Sequence, residues 1–267
     1  MAKRKTGTKE WSAKSFNLLT QVGCQANCRY CYAREMAYRY GRITLWQDWS
    51  NVKRNPEAWP RTIQAAKRKY PGVVMFPTAH NIDENNVNDC TEVLRVLLNA
   101  GNKVVCVMKP TLAIAQQVAH DLAANGLIKA AILFRITITA YDEQLLGFWE
   151  PGAPRLGERM AALSYLHGTG YKTSVSVEPA LDVQNTPTLF HLVAPFVTQY
   201  VWIGPMNKPL TRVLCETSKD ADALREMTHD KDERIKLLYQ RLKNQPKVRW
   251  KETIASLLNL PLQDDNW

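Results

Sequence analysis

Three cysteines share one short run, Gly23-Cys24-Gln25-Ala26-Asn27-Cys28-Arg29-Tyr30-Cys31-Tyr32-Ala33. Spaced by three and then two residues, the thiolates of Cys24, Cys28 and Cys31 can hold three irons of a [4Fe-4S] cube from one tight loop. The fourth iron is then left without a protein ligand and open to a cofactor. A structural zinc site draws on the same residue type, but it closes with four ligands, usually as two separated pairs. No second Cys pair or close Cys/His pair follows here. His80, in Pro77-Thr78-Ala79-His80-Asn81, is a further candidate for chemistry, because it follows a predicted strand at the end where parallel sheets place their sites. A lone loop histidine is also commonly just a hydrogen-bonded residue.

The elements that must position these residues alternate from about Ser15 to Gly204. Strands are predicted at 15–22, 73–77, 103–108, 131–139, 172–177 and 199–204, with helices starting near Arg29, Asn88, Thr111, Tyr141, Arg155 and Thr188. Six βα units in series imply an α/β fold with a parallel sheet and helices outside it. Gly101, Gly126 and Gly170 each fall between a helix and a strand, where a left-handed helix cap is expected. Two strands break the usual hydrophobic run of a buried parallel sheet: Phe134-Arg135-Ile136-Thr137-Ile138-Thr139 and Thr173-Ser174-Val175-Ser176-Val177-Glu178 alternate apolar with polar. Arg135, Thr137 and Thr139 share one side, as do Ser174, Ser176 and Glu178, so a curved sheet presents them to a polar lumen able to hold a charged nucleoside. A solvent-exposed edge gives the same alternation. Lys109 and Cys106 point to opposite faces of their strand, so if Lys109 faces the lumen, Cys106 and, in the next layer, Cys90 are core residues.

At 267 residues and 45% hydrophobic, the chain is long enough for one large domain and a small appendage. No apolar run approaches the roughly 18 residues of a membrane span, and Met1-Ala2-Lys3-Arg4-Lys5 lacks the apolar core of a signal peptide. A cytoplasmic protein without disulfides is expected from its six cysteines. The net charge of +10, concentrated at 3–9, 61–69 and 231–251, favours a polyanionic partner such as a nucleic acid, although many basic surfaces are merely solvated. Trp46, Trp49 and Trp59 lie near basic residues and fit either stacking or packing. A helix over 231–243 carries Ile235, Leu238 and Leu242 on one face.

The cluster loop, with Tyr30 before the third cysteine and Tyr32 after it, is followed by Phe148-Trp149-Glu150-Pro151-Gly152-Ala153-Pro154, Arg159-Met160-Ala161-Ala162 and Gly170-Tyr171-Lys172. Together these resemble the spore photoproduct lyase-like branch of the radical S-adenosylmethionine (SAM) superfamily, from about Ser15 to Asp182. The resemblance implies a partial (β/α)6 barrel of the TIM type with the cluster at its open top. The division it suggests is a basic tail at 1–14, the barrel at 15–205 and a short α-rich C-terminal extension at 206–267 that caps it. It implies a [4Fe-4S] cluster and SAM as cofactors, with Cys24, Cys28 and Cys31 as the metal ligands. SAM would be cleaved to a 5'-deoxyadenosyl radical that abstracts hydrogen from a substrate, with an electron donor such as flavodoxin or ferredoxin.

Carried over by position, Lys109 resembles the family lysine that contacts the methionyl carboxylate, and Thr137 a hydroxyl residue serving the same cofactor. Thr78, Tyr30, Arg135, Ser176 and Glu178 complete the expected cofactor set, while Tyr32 and His80 are the expected catalytic residues. One departure stands out. The spore enzymes keep a hydrogen-donating cysteine shortly after the second strand, and Met75-Phe76-Pro77-Thr78-Ala79-His80 has none. The expected substrate is a nucleic acid or nucleotide; a protein, peptide or small metabolite is the alternative, and a noncatalytic iron-sulfur or zinc module a third reading.

Overall fold

The computed structural model describes residues 7–124 and 129–267. The expected cap at Gly126 and residues 3–6 of the basic tail lie outside these. Seven strands, β1 (Lys14–Ser15), β2 (Val73–Phe76), β3 (Lys103–Met108), β4 (Ile132–Thr137), β5 (Lys172–Val177), β6 (Val201–Ile203) and β7 (Val248–Trp250), pair in chain order. Every neighbouring pair is parallel. The intervening helices include α1 (Tyr32–Arg39), α2 (Trp59–Ala66), α3 (Val87–Asn99), α4 (Leu112–Ala124), α5 (Glu143–Trp149), α6 (Leu156–Gly168) and α7 (Thr186–Val193). After β6 come α8 (Pro209–Arg212), α9 (Ser218–Thr228) and α10 (Lys231–Leu242), and α11 (Glu252–Leu257) follows β7. Among the described residues no helix is long and apolar enough to cross a membrane.

Strand parity divides the interior into two layers. Val104, Cys106, Met108, Ile132, Phe134, Ile136, Val175 and Val177 face outward and pack with Cys90, Leu94, Val118, Leu163 and Leu189 of the helices in the main core. The opposite faces of the same strands place Met75, Val105, Leu133 and Trp202 together inside the sheet. Arg135 lies opposite Ser174 and Thr137 opposite Ser176, so the polar alternation does mark an inner face. It is not an exposed edge, for all six side chains of β4 are buried. Gly101 and Gly170 adopt φ of +78° and +81° at the ends of α3 and α6, a region costly for residues with a Cβ.

The first predicted strand is shorter than expected. Only Lys14–Ser15 joins the sheet, because the Asn17 side chain then takes the Thr78 and Ala79 amides that a continued strand would occupy. Gln21–Val22 pairs instead with Lys53–Arg54 in an antiparallel ribbon. Trp49 is buried beside the cysteine loop and Trp59 packs on the main core, so both are packing anchors. The helix over 231–243 is present as α10, with Ile235, Leu238 and Leu242 buried, and lies against α7.

The segment after α10 adds a strand beyond the six expected and then closes the bottom of the barrel. Asp265 accepts from Arg135 Nη2 at 2.6 Å and from Trp202 Nε1 at 2.8 Å, while Arg135 Nε donates to Ser174 Oγ at 3.0 Å. The guanidinium lies 4.5 Å from the Trp11 ring centre. Arg135 is therefore a lumen residue, as its parity requires, but it belongs to the floor. A charge this deeply buried depends on its partner. Asp265→Ala is expected to destabilise the protein by roughly 3–5 kcal/mol, since it leaves Arg135 uncompensated; urea unfolding measures this, and a loss below about 0.5 kcal/mol, the size of an ordinary surface substitution, would contradict the assignment.

Candidate active site

The C-terminal ends of the strands open onto a cavity of about 450 Å³, the size of a nucleoside-binding pocket. All three loop cysteines line it, together with Tyr30, Tyr32, Thr78, His80, Lys109, Thr137, Ser176 and Glu178. The structure therefore brings together every expected site residue except Arg135. Arg135 does not line the cavity: one layer below, its Nη2 is bonded to Asp265 and its Nε to Ser174, beside the Trp11 ring. That expectation is corrected.

The cysteine loop is shaped by its own turns and by the segment after α5. The Asn27 amide donates to Cys24 O and the Cys31 amide to Cys28 O, with Asn27 in the left-handed region at φ +44°. Cys31 then occupies the N-cap position of α1, with extended backbone. Arg34, buried on the first turn of α1, donates to Asn27 Oδ1 and to Arg29 O, tying the helix back onto the loop. From the other side, Arg29 donates through its amide to Trp149 O and through Nε to Phe148 O. Gly152 donates to Ala26 O at 3.2 Å. A Cβ at Gly152 would stand 1.9 Å from Gln25 O, so only glycine permits this approach.

Beneath the loop lies a buried polar network. Tyr30 donates a very short hydrogen bond to Glu150 Oε1, which also accepts from Thr139 Oγ1 at 2.7 Å. Glu150 Oε2 is 2.5 Å from Arg159 Nη2, both side chains being fully buried. Burial alone would raise the Glu150 carboxyl, but Arg159 and Lys109 outweigh it and hold the group below the ordinary carboxylate range. Burial likewise would lower the Lys109 ammonium, and here Cys28, once ionised, and Glu150 outweigh it, so it is held above its ordinary value. No hydrogen bond or ion pair engages that ammonium among the described residues, and it lies 5.8 Å from the Tyr30 ring centre.

Asn81 joins three parts of the site. Its amide donates to Cys24 Sγ at 3.2 Å, its Oδ1 accepts from the Lys109 amide at 2.7 Å, and its Nδ2 donates to Lys109 O at 2.9 Å. Burial pushes the free Cys24 thiol up to about 11 and Cys28 to about 12, so these sulfurs ionise by exchanging their protons for metal rather than on their own. Among the described residues no three His, Cys, Asp or Glu side chains converge on one metal ion. All six cysteines are free; Cys90 and Cys106 are buried in the core and Cys215 is exposed.

His80 is corrected as well. Its Nδ1 donates to Asn81 O at 2.9 Å and its Nε2 accepts from the Leu18 amide at 3.3 Å, so the ring is a neutral latch between two loops. Burial pushes it down to about 4, and neither nitrogen is free for proton transfer. Tyr32 lines the cavity with its hydroxyl donated to Thr78 O at 2.5 Å. Asn17, Arg34, Asn81 and Glu150 are site residues that the sequence pattern does not single out. Glu150 has a signal in the Glu-Pro-Gly stretch; the two asparagines, short polar residues beside strand ends, have none beyond their position.

No protein-family model matches the chain. An uncharacterized protein of Methanocaldococcus jannaschii is 24% identical over 242 residues, 89% of this chain and 82% of that protein. Spore photoproduct lyase complexed with dinucleoside spore photoproduct superposes with a TM-score of 0.54 at 13% identity, over 88% of this chain and 75% of the lyase. SuiB of Streptococcus suis bound to its precursor peptide SuiA gives 0.58 at 12% identity, over 94% of this chain and 51% of SuiB. SuiB bound to S-adenosylmethionine gives 0.56. The chain shares the α/β fold of these two enzymes. The sheet and helices expected for that fold are those observed, with one strand more than the six βα units supply.

Because the close approach at Gly152 seats the cysteine loop, Gly152→Ala should displace it while leaving the distant main core intact. The expected result is a large fall in iron incorporated per chain with little change in far-ultraviolet circular dichroism. Undiminished iron loading would show that the loop does not depend on this contact.

Proposed function

We propose that this chain is a radical SAM enzyme in which Cys24, Cys28 and Cys31 hold a [4Fe-4S] cluster and the cavity beside them receives SAM and the substrate. One observation carries the reading: three thiols of the open-site spacing and the Lys109 ammonium border the same cavity at the C-terminal ends of the strands. The donor types fit such a cluster, with three cysteine sulfurs on one cavity wall and the Asn81 amide on Cys24 as a supporting donor. When bound, the cluster and SAM together supply one-electron cleavage of the sulfonium and a 5'-deoxyadenosyl radical.

The chain's own residues bind, orient and shelter. Lys109, kept charged by Cys28 and Glu150, offers a compact ammonium to a carboxylate. Its backbone is fixed on both sides by Asn81, so the side chain starts from a set position. Thr137 and Ser176, opposite each other on β4 and β5, offer hydroxyls on the inner wall. Glu178, 3.5 Å from Lys251, offers a carboxylate to ligand hydroxyl or amine groups. Thr78 is different: its hydroxyl already accepts from Asn17 at 2.7 Å, leaving its O–H to donate. Tyr30 acts through its ring and its support of Glu150, and Tyr32 places an aromatic wall beside Cys31.

A nucleic acid or nucleotide is the substrate class this reading favours. The net charge of +10 supports a polyanion, and the cavity carries the cations Lys9, Lys109 and Arg212. Repair of a thymine lesion is not part of the proposal, because Pro77, Thr78, Ala79 and His80 on the cavity wall include no thiol to return a hydrogen. The likeness to SuiB with a precursor peptide makes a peptide the second reading.

Lys109→Ala is expected to weaken SAM binding to the cluster-loaded protein by roughly 1–3 kcal/mol in calorimetry, the value of a charge-assisted hydrogen bond in a sheltered site. Cys106→Ala, in the core, should leave that affinity unchanged. Turnover tests the substrate class. 5'-Deoxyadenosine formation should rise when DNA or RNA is supplied, and if only a peptide pool raises it the second reading replaces the first.

A further inference from the structure

Most cations around the lumen are already paired. Arg135 is held by Asp265 at 2.6 Å, Arg159 by Glu150 at 2.5 Å, and Lys251 by Glu10 at 2.8 Å and Glu178 at 3.5 Å. Three cavity-lining cations lack a hydrogen bond or ion pair among the described residues: Lys109, Lys9 and Arg212. Lys9 is exposed, and the half-buried Lys109 borders the cavity with the cysteine loop, where the proposed function gives its ammonium to a cofactor carboxylate. Arg212 remains, half-buried at the end of α8 in a segment that also supplies Pro205, Met206 and Asn207 to the cavity wall.

Its setting is specific. The guanidinium lies 5.7 Å from the centre of the Tyr32 ring, within reach of a cation–π contact. Tyr32 is itself anchored through its hydroxyl to Thr78 O and follows Cys31 directly, so the pair stands next to the cysteine loop. Glu178, which attracts Arg212 across the cavity, makes its ion pair with Lys251 instead. With no hydrogen bond or ion pair among the described residues, the guanidinium keeps its N–H edges free, and that planar fork matches the paired oxygens of a phosphate or carboxylate.

We infer that Arg212, beside the Tyr32 ring, is the substrate-anchoring residue of this cavity and grips a backbone phosphate of a nucleic acid beside the cysteine loop. The inference rests on the nucleic-acid reading of the substrate and adds the group recognised and the residue that recognises it. Phosphate is favoured over a peptide carboxylate by the net charge of +10, which concentrates polyanions at the surface. Arg212 is a binding residue; no step of the chemistry is assigned to it.

The test uses the cluster-loaded full chain and a short fluorescent oligothymidylate, with the same oligomer made as an uncharged methylphosphonate as the control. Fluorescence anisotropy should show Arg212→Gln weakening oligothymidylate binding by about ten- to a hundredfold, the loss of a charge-assisted pair. Arg212→Lys should fall between. The wild type should prefer the charged oligomer, and Arg212→Gln should lose part of that preference. SAM affinity, measured separately by calorimetry, should be unchanged in both variants, a result that also shows the cavity still folded. If Arg212→Gln binds oligothymidylate as the wild type does, the inference is overturned while the nucleic-acid reading stands. A loss of SAM affinity would move Arg212 into the cofactor site and overturn it too. Failure of the wild type to bind oligothymidylate at low salt would remove the nucleic-acid reading and this inference with it.

Discussion

The cysteine loop and the segment after α5 meet where no side chain fits between them. Gly152 against Gln25 sets the separation, the Arg29 bonds to Phe148 and Trp149 set the register, and the Tyr30–Glu150 contact sets the tilt. Every feature of the site depends on this junction. Three sulfurs can ligate one cluster only if a loop without regular secondary structure is held still, and an eleven-residue run has too few contacts of its own to do so. The barrel supplies the missing constraint through the segment just after β4 and through α6, because Glu150 is fixed by Thr139 and Arg159.

Charge is distributed by the same logic. Burying an ion costs several kcal/mol unless it is paired, and the lumen pairs its ions by depth. Arg135 and Asp265 close the floor together with Trp11 and Trp202, and Lys251 ties Glu10 to Glu178 at mid-height. At the top, Glu150 and the cysteine sulfurs, once ionised, hold Lys109 charged without bonding it. Its charge is stabilised by the surroundings while its donors stay free, a condition a ligand-binding group needs.

Much of this is legible in the sequence, and the gaps have physical causes. Residues whose chemistry depends on local spacing stand out: the cysteines by their intervals, and Lys109, Cys106, Thr137 and Ser176 by strand parity, which the observed register reproduces. Parity, however, says which face a side chain takes and not how far along the lumen it lies. For that reason it points Arg135 at the ligand, whereas the partner that claims it, Asp265, is 130 residues away in sequence. His80 misleads similarly, since the main-chain groups that occupy its ring are set by loop packing. The strand β7 has only three residues, too few for an alternation to register, and α2 begins with Trp59-Pro60 inside a stretch that reads as irregular. Asn17 and Asn81 do their work through amides of other segments, a role no residue pattern announces.

The central claim is that the three loop thiols hold an open-site cluster beside a cavity that admits SAM. Electron paramagnetic resonance of the anoxically reconstituted, reduced protein tests it most directly, alongside iron and sulfide analysis. The account predicts about four irons and four sulfides per chain and a signal whose shape changes when SAM is added. Both should vanish when Cys24, Cys28 and Cys31 are replaced together by alanine. A wild-type protein that takes up only zinc, or a cluster signal that persists in the triple variant, would contradict it.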